Sequence, residues 1–337
     1  MRIRSTVVAA LVVLGLTGAT ATAATLTGEG PAVASAGQWQ LLRTSSGTLI
    51  EDEFTEALPS REVQDTYEFN GDTDPEHTSI RATDDGLQVA VDPPPSATTH
   101  TGWFAVTIDA YPETSIFHVR MSKPPGHVQG RDEAGQAVFA VQTASTKVTG
   151  LINFVEVTTS SSGGMTSWQI DYSFGHVVDA RNVLYWTTTP SVDAPDTQEV
   201  TLRTDGRRSL TVWLGEEQVF SSDDLELDMQ APFQPYLEVQ ALRTPYVATF
   251  QDFWVAADDE VRVTGLPAAA RVALVEEDGT VLGEGAAARD GTAVVTVPPY
   301  AAKGSAVLQV SLPGEGPVRL GPPLHYAGGD EFRLVRD

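Results

Sequence analysis

The sequence lacks cysteine altogether and contains only three lysines among its 337 residues. Without cysteine there can be no disulfide, no thiolate zinc site, no cysteine nucleophile and no lipid anchor on cysteine. Because Asp and Glu number 45 against 21 Lys and Arg, the formal net charge is −24 and the pI is about 4.4. An acidic surface of this kind repels nucleic-acid phosphates and anionic lipid, so we expect no nucleic-acid partner.

Long apolar runs are also lacking, except at the N-terminus. Arg2 and Arg4 precede an apolar run at residues 7–16, and small residues including Ala21 and Ala23 follow it. This pattern predicts a secretory signal peptide over residues 1–23, cleaved after Ala23, and therefore a secreted or cell-surface protein. An uncleaved anchor is the alternative, although the run is shorter than the roughly 20 residues of a spanning helix. After cleavage we expect no transmembrane segment.

Helical periodicity is nearly absent as well. The sequence instead contains short stretches in which apolar and polar residues alternate, separated by turn residues. Such stretches are typical of strands in sandwiches and jelly rolls. We therefore predict an all-β protein with a flexible arm at residues 24–38, a jelly-roll domain at residues 39–257 and a small β-sandwich accessory domain at residues 258–337. The second boundary lies where the composition shifts toward Ala, Val, Gly and Pro.

Three motifs relate residues 39–257 to a known family. They are an acidic early strand at residues 49–54, a turn and strand at residues 84–89, and an aromatic closing strand at residues 250–254. With them the region resembles the concanavalin A-like lectin/glucanase superfamily, including its laminin-G-like modules. This implies two curved sheets with a ligand on the concave face of one. Residues 258–337 resemble prealbumin-like or immunoglobulin-like surface modules through the VTGLP segment at residues 263–267.

Strand alternation predicts one polar sheet face, whose amides and carboxylates suit sugar hydroxyls and whose aromatic ring suits a sugar ring. The residues predicted to bind ligand there are Trp103, His118, Arg120, Asn153, Gln169, Asp171, Glu238 and Gln240. The predicted function is therefore lectin-like and non-catalytic: binding of an extracellular or cell-wall polysaccharide. An ordinary solvated face and a structural cell-surface subunit are the alternatives.

A glycan-cleaving enzyme is a further alternative, and hydrolysis would require two carboxylates. The glucanases of the resembled superfamily carry them on one strand as Glu-x-Asp-x-x-Glu, and no strand in the middle of this domain has that pattern. Glu156 and Asp171 are the remaining candidates, on separate predicted strands, and alternation leaves open whether they share a face. A polysaccharide lyase is the other catalytic possibility, for which His118, Arg120, Gln142 and Tyr172 supply the residue types.

The resemblance also implies a structural calcium ion between the first and last strands of the jelly roll. Calcium prefers six to eight oxygen ligands, and Asp52, Asp72 and Asp252 are the matching candidates. The alternative is a set of acidic turns without metal. The six histidines are scattered without zinc-ligand spacing.

Overall fold

The computed structural model describes residues 32–36, 39–52, 67–69, 76–98, 101–107, 115–122, 134–143, 154–162, 165–172, 185–190, 197–225, 227, 229 and 232–336. The predicted signal peptide lies outside these residues and stays a prediction. None of the described residues belongs to a helix that is long and apolar enough to cross a membrane.

The strands are numbered in chain order. The first described strands form the hairpin β1 (Ala32–Ala36) and β2 (Trp39–Ser45). The next group is β3 (Thr48–Asp52), β4 (Tyr67–Phe69), β5 (Thr78–Thr83), β6 (Gly86–Val91), β7 (Thr101–Thr107), β8 (Ile116–Ser122), β9 (Ala134–Thr143), β10 (Phe154–Ser162), β11 (Met165–Tyr172), β12 (Tyr185–Pro190), β13 (Thr197–Thr204), β14 (Leu210–Leu214), β15 (Glu217–Ser222), β16 (Phe233–Leu242) and β17 (Tyr246–Ala256). The last group is β18 (Glu260–Thr264), β19 (Arg271–Val275), β20 (Val281–Ala286), β21 (Ala293–Thr296), a 3-10 helix (Pro299–Ala301), β22 (Lys303–Ser311), β23 (Pro317–Arg319), β24 (Leu324–Ala327) and β25 (Glu331–Arg336).

Strands β3 to β17 build the larger module, a sandwich of two antiparallel sheets. One sheet has seven strands in the order β12-β11-β10-β9-β16-β7-β4, and the other has eight, in the order β15-β14-β13-β8-β17-β6-β5 with β3 beside β17. Fully buried residues such as Phe117 and Phe250 from one sheet and Phe139 from the other belong to one core. The first strand of this module, β3, pairs with its last strand, β17, and the predicted all-β jelly-roll sandwich is confirmed.

The turn between β5 and β6 shows why a motif of the sequence analysis folds as predicted. Gly86 has a φ of +107°, which an L side chain rarely adopts, and a Cβ there would lie 2.3 Å from the carbonyl oxygen of Phe250. Glycine therefore lets the hairpin close while β6 pairs with β17.

The smaller module is a second sandwich, and it includes the N-terminal hairpin. One sheet has the order β1-β2-β25-β18-β21, and the other has the order β20-β19-β22-β23 with β24 beside β22. Strand β2 pairs antiparallel with β25, and Leu41 is fully buried in the same core as Phe332. The predicted division at residues 24–38 and 39–257 therefore differs from the structure: residues 32–45 belong to the smaller module because their apolar side chains complete its core. The jelly roll is an insertion between β2 and β18.

We expect Leu41→Ala to destabilise the protein by about 2–5 kcal/mol, as large-to-small changes in a core do. Leu41 is 0% exposed, so its removal leaves a cavity in the core of the smaller module. Urea unfolding measures the change, with exposed Ser46→Ala as the control at no more than about 0.5 kcal/mol. Equal stability of the two variants would mean that the N-terminal hairpin does not dock.

Candidate functional site

One end of the outer face of the eight-stranded sheet packs against the smaller module. Ile116, Trp254 and Ala256, which point away from the jelly-roll core, are part of the core cluster of the smaller module. At the edge of this contact Lys303 places its Nζ 2.6 Å from Glu51 Oε1. This end of the face is therefore an interface between modules.

His118 lies inside that interface and is 2% exposed. Its ring stacks on Trp254 with centroids 4.7 Å apart and planes at 10°, and its Nδ1 lies 2.9 Å from the Thr201 hydroxyl. The prediction that His118 and Arg120 share a face with the other candidates is wrong, because β8 belongs to the eight-stranded sheet. Arg120 is paired there with Glu199 on β13, Nη2 to Oε1 at 2.6 Å. Neither residue is available to act with the polar face of the other sheet.

Burial lowers the pKa of His118 from 6.5 to about 3, and the positive charges of Arg120 and Lys303 add to this effect. The folded protein therefore holds this imidazole neutral, while the unfolded chain protonates it below about pH 6.5. Its contribution to stability is present above pH 6.5 and is lost as the pH falls from there toward 3.

We accordingly expect the free energy of unfolding to fall below pH 6.5 by up to about 1.4 kcal/mol per pH unit from this residue. His118→Gln, which keeps a polar side chain without titration, should flatten the profile between pH 6.5 and 4. Denaturant unfolding of both proteins at several pH values measures this. The same slope in both proteins would contradict it.

Asp252 lies beside a lysine ammonium and an imidazole, and neither group is a ligand for calcium, which prefers oxygen atoms. Its Oδ1 lies 3.5 Å from Lys303 Nζ, and its Oδ2 lies 3.8 Å from His118 Nε2. Asp252 also has a φ of +46°, at an irregularity in the pairing of β17 with β8. Among the described residues no group of three or more His, Asp or Glu is arranged to hold a metal ion. Asp72 lies outside the described residues and Asp52 is placed only by its backbone on β3, so calcium stays a prediction.

The outer face of the seven-stranded sheet contains four of the eight predicted binding residues, namely Gln169, Asp171, Glu238 and Gln240. In β16, Leu237 and Val239 belong to the jelly-roll core, so Tyr236, Glu238 and Gln240 lie at outward positions. Strand pairing carries this alternation across the sheet, because directly opposed residues lie on the same face. Position 169 pairs with 158, 158 with 138, and 138 with 238, which places Gln169 on the face of Glu238.

The same register brings Glu156 and Asp171 together. Val155 and Val157 belong to the jelly-roll core, so Glu156 is at an outward position of β10. Asp171 is its direct partner on β11. The sequence left open whether the two carboxylates share a face, and the pairing places them side by side on it.

A row of positions crosses the whole sheet through this acidic pair. In strand order from β12 to β4 it consists of Trp186, Asp171, Glu156, Ala140, Tyr236, Val106 and Glu68. Ala140 and Tyr236 are buried on this outer side of the sheet, in a small cluster with Val138. Trp186 and Glu68 were missed by sequence reasoning, because their strands are short and their place in the sheet follows from pairing alone.

Trp103 lies on the opposite face from the one predicted. It pairs with Val239, a core residue, so the register assigns position 103 to the inner face and assigns positions 102, 104 and 106 of β7 to the outer face. The register with β16, which the sequence does not show, decides this. Asn153 lies outside the described residues, and its role stays a prediction.

Comparison with known proteins gives structural likeness at low identity. No protein-family model matches the chain, and no curated protein matches it. A β-glucanase of Bacillus licheniformis is similar at 11% identity and a TM-score of 0.45, over 63% of this chain and 98% of that chain. The laminarinase catalytic domain of Thermotoga maritima is similar at 11% identity and a TM-score of 0.42, over 65% of this chain and 98% of that one. At TM-scores below 0.5 we take neither activity nor substrate from these proteins.

Proposed function

We propose that the protein binds an extracellular polysaccharide along the outer face of the seven-stranded sheet and hydrolyses it at Glu156 and Asp171. The observation that carries this proposal is the direct pairing of these two residues at outward positions of β10 and β11. Secretion through the predicted signal peptide would deliver the protein to such polymers. The lectin-like function predicted from the sequence thus becomes the second candidate.

A retaining mechanism is the one we propose for the pair. Directly opposed residues of antiparallel strands have Cα atoms about 4.5–5.5 Å apart, which lets their carboxyl groups reach the separation of about 5–5.5 Å that retaining glycosidases use. One carboxylic acid would protonate the glycosidic oxygen while the other carboxylate attacks the anomeric carbon. Water activated by the first residue would then release the sugar from the glycosyl-enzyme.

The electrostatic repulsion between Glu156 and Asp171 also supports a functional role for the pair. Two like charges directly opposed in a sheet are destabilising, and no structural benefit of the pair follows from the strand pairing. Like-charge pairs of carboxylates recur at active sites because the repulsion raises one pKa and keeps one group protonated. Such a pair meets the need of glycoside hydrolysis for one acid and one base or nucleophile.

An aromatic position beside the pair would suit a sugar ring. Trp186 is the direct partner of Asp171 in the row, whereas Tyr236, beyond Glu156, is buried against Val138 and Ala140. Aromatic residues together with a few polar groups are typical of ligand sites.

Incubation of residues 24–337 with a panel of neutral, amino and acidic polysaccharides tests this function, with reducing ends as the readout. We expect cleavage of at least one polymer, and the first product should retain the anomeric configuration of the substrate, as observed by NMR. Inversion would contradict the retaining mechanism. No new reducing ends on any polymer would contradict hydrolysis.

Non-catalytic glycan binding is favoured by one observation on β10 itself. A Glu-x-Asp-x-x-Glu pattern that began at Glu156 would have acids at positions 158 and 161, where this strand has Thr158 and Ser161. This candidate predicts that a polysaccharide retards the protein in affinity electrophoresis while no reducing ends form. Retardation by none of the polymers would contradict it.

A further inference from the structure

Three charged side chains from three strands meet where the two modules touch. Lys303, at the start of β22 in the smaller module, places its Nζ 2.6 Å from Glu51 Oε1 on β3 and 3.5 Å from Asp252 Oδ1 on β17. The lysine side chain is 16% exposed and that of Asp252 is 29% exposed, so the contact is partly shielded from solvent. Trp254, the direct strand partner of Glu51, is buried. The module boundary thus holds one amine against two carboxyl groups.

The residue types differ from those of an ordinary ion pair at an interface. Arginine is the usual choice there, because its planar guanidinium binds a carboxylate through two hydrogen bonds and stays charged. Arg203 of the jelly roll pairs with Asp259 in this way, Nη1 to Oδ2 at 2.7 Å. At position 303 the chain has one of its three lysines instead. A lysine amine can lose its proton and act as a nucleophile, which a guanidinium cannot do.

The backbone at Asp252 is unusual at the same point. Asp252 has a φ of +46° and lies where the pairing of β17 with β8 is irregular, between Gln251 and Trp254. Such irregularities redirect a side chain, and strained residues of this kind recur at functional sites. The redirected carboxyl group has one oxygen toward Lys303 and the other 3.8 Å from Nε2 of the buried His118. The strain therefore falls on the residue that the amine approaches.

We infer that Lys303 and Asp252 condense to an intramolecular amide, an isopeptide bond that joins the two modules, with Glu51 as the proton carrier. A bond forms between Lys303 Nζ and Asp252 Cγ, and one Cγ–O bond of Asp252 breaks. Glu51 accepts a proton from the ammonium group and passes it to the departing oxygen, which leaves as water with two of the three ammonium protons. Ammonium and carboxylate thus give amide and water, and no oxidant or further reactant is needed.

Proximity favours this condensation. Reacting groups that a fold holds about 3–3.5 Å apart reach effective molarities on the order of 10⁵–10⁸ M, and Lys303 Nζ already lies 3.5 Å from an oxygen of the carboxyl group that it attacks. The chain has no cysteine and therefore no disulfide. An amide between these residues would close a loop and restrict the unfolded chain, as a disulfide does.

The intact mass of residues 24–337, purified in the folded state and kept at neutral pH, tests the inference. We expect the main species to be lighter than the sum of its residues by one water molecule. A tryptic digest should contain a branched peptide in which fragmentation places the link between positions 252 and 303. Circular dichroism of each variant below establishes that it is folded.

Two variants and a matched control assign the reaction to these side chains. Lys303→Arg keeps the positive charge beside both carboxyl groups but forms no amide, so we expect its full mass. Glu51→Gln removes the proton carrier and should leave nearly all of the protein at full mass, since a positioned acid or base contributes about 10²–10⁴-fold in rate. Lys123→Arg makes the same exchange at another lysine and should retain the loss of water.

Full mass in the unaltered protein overturns the inference and leaves an ordinary ion pair at the module boundary. A loss of water that persists in Lys303→Arg overturns it as well, because another group would then have reacted. An undiminished loss of water in Glu51→Gln contradicts the proton transfer on which the proposed reaction depends. No polysaccharide is present in these measurements, so their outcome is independent of the proposed hydrolysis.

Discussion

Glu156→Gln is expected to reduce polysaccharide cleavage by at least about 100-fold, since a positioned acid, base or nucleophile contributes 10²–10⁴-fold or more. Glutamine keeps the size of the side chain but can neither transfer the proton nor attack the anomeric carbon. The initial rate of reducing-end release measures the effect. Asp171→Asn should give a loss of similar order, because the two carboxylates act as one unit in a retaining mechanism.

The stability of this variant separates a catalytic residue from a structural one. Removing one of two directly opposed like charges should leave the free energy of unfolding unchanged or raise it by up to about 1 kcal/mol. Glu199→Gln is the control, since Glu199 lies on β13 of the other sheet, paired with Arg120, and should retain full activity. Loss of activity together with lower stability in Glu156→Gln would indicate a structural role for Glu156.

Trp254→Ala is expected to destabilise the protein by about 3–5 kcal/mol, the range for removing a buried tryptophan. Trp254 is 2% exposed, belongs to the core cluster of the smaller module, and stacks on His118 of the jelly roll. The substitution leaves a cavity at the contact between modules and removes the ring that covers a buried imidazole. Guanidinium unfolding followed by tryptophan fluorescence and far-UV circular dichroism measures the loss.

Two other variants serve as controls for Trp254→Ala. Trp254→Phe keeps a ring against His118 and should recover a large part of the lost free energy. Val281→Ala removes an apolar side chain that is more than half exposed on β20 and should change stability by no more than about 0.5 kcal/mol. A loss of less than 1 kcal/mol in Trp254→Ala would contradict an interface that holds the two modules together.

The fold class could be predicted from the sequence because it depends on local signals. Alternation in the YLEVQAL segment of β16 and turn chemistry at Asp85-Gly86 each act within a few residues. The pairing of β3 with β17 was also predicted, through the likeness of their motifs to the first and last strands of a known fold. The membership of β1 and β2 in the smaller module could not be predicted, since their partner β25 is almost 300 residues away in the chain.

The sequence by itself determined the residue types of the candidate site: carboxylates, amides and aromatic residues on strands, with hardly any lysine and no cysteine. Only the tertiary structure decided which of them meet. His118 and Glu238 both alternate with apolar neighbours, yet β8 and β16 belong to different sheets, and His118 lies at the end of its sheet that packs against the smaller module. The alternation of apolar and polar residues along a strand shows which of its residues share a face. Which residues of other strands lie beside them depends on strand order and register. Register within the β10–β11 hairpin placed Glu156 opposite Asp171, and the long-range pairing of β7 with β16 assigned position 103 to the inner face.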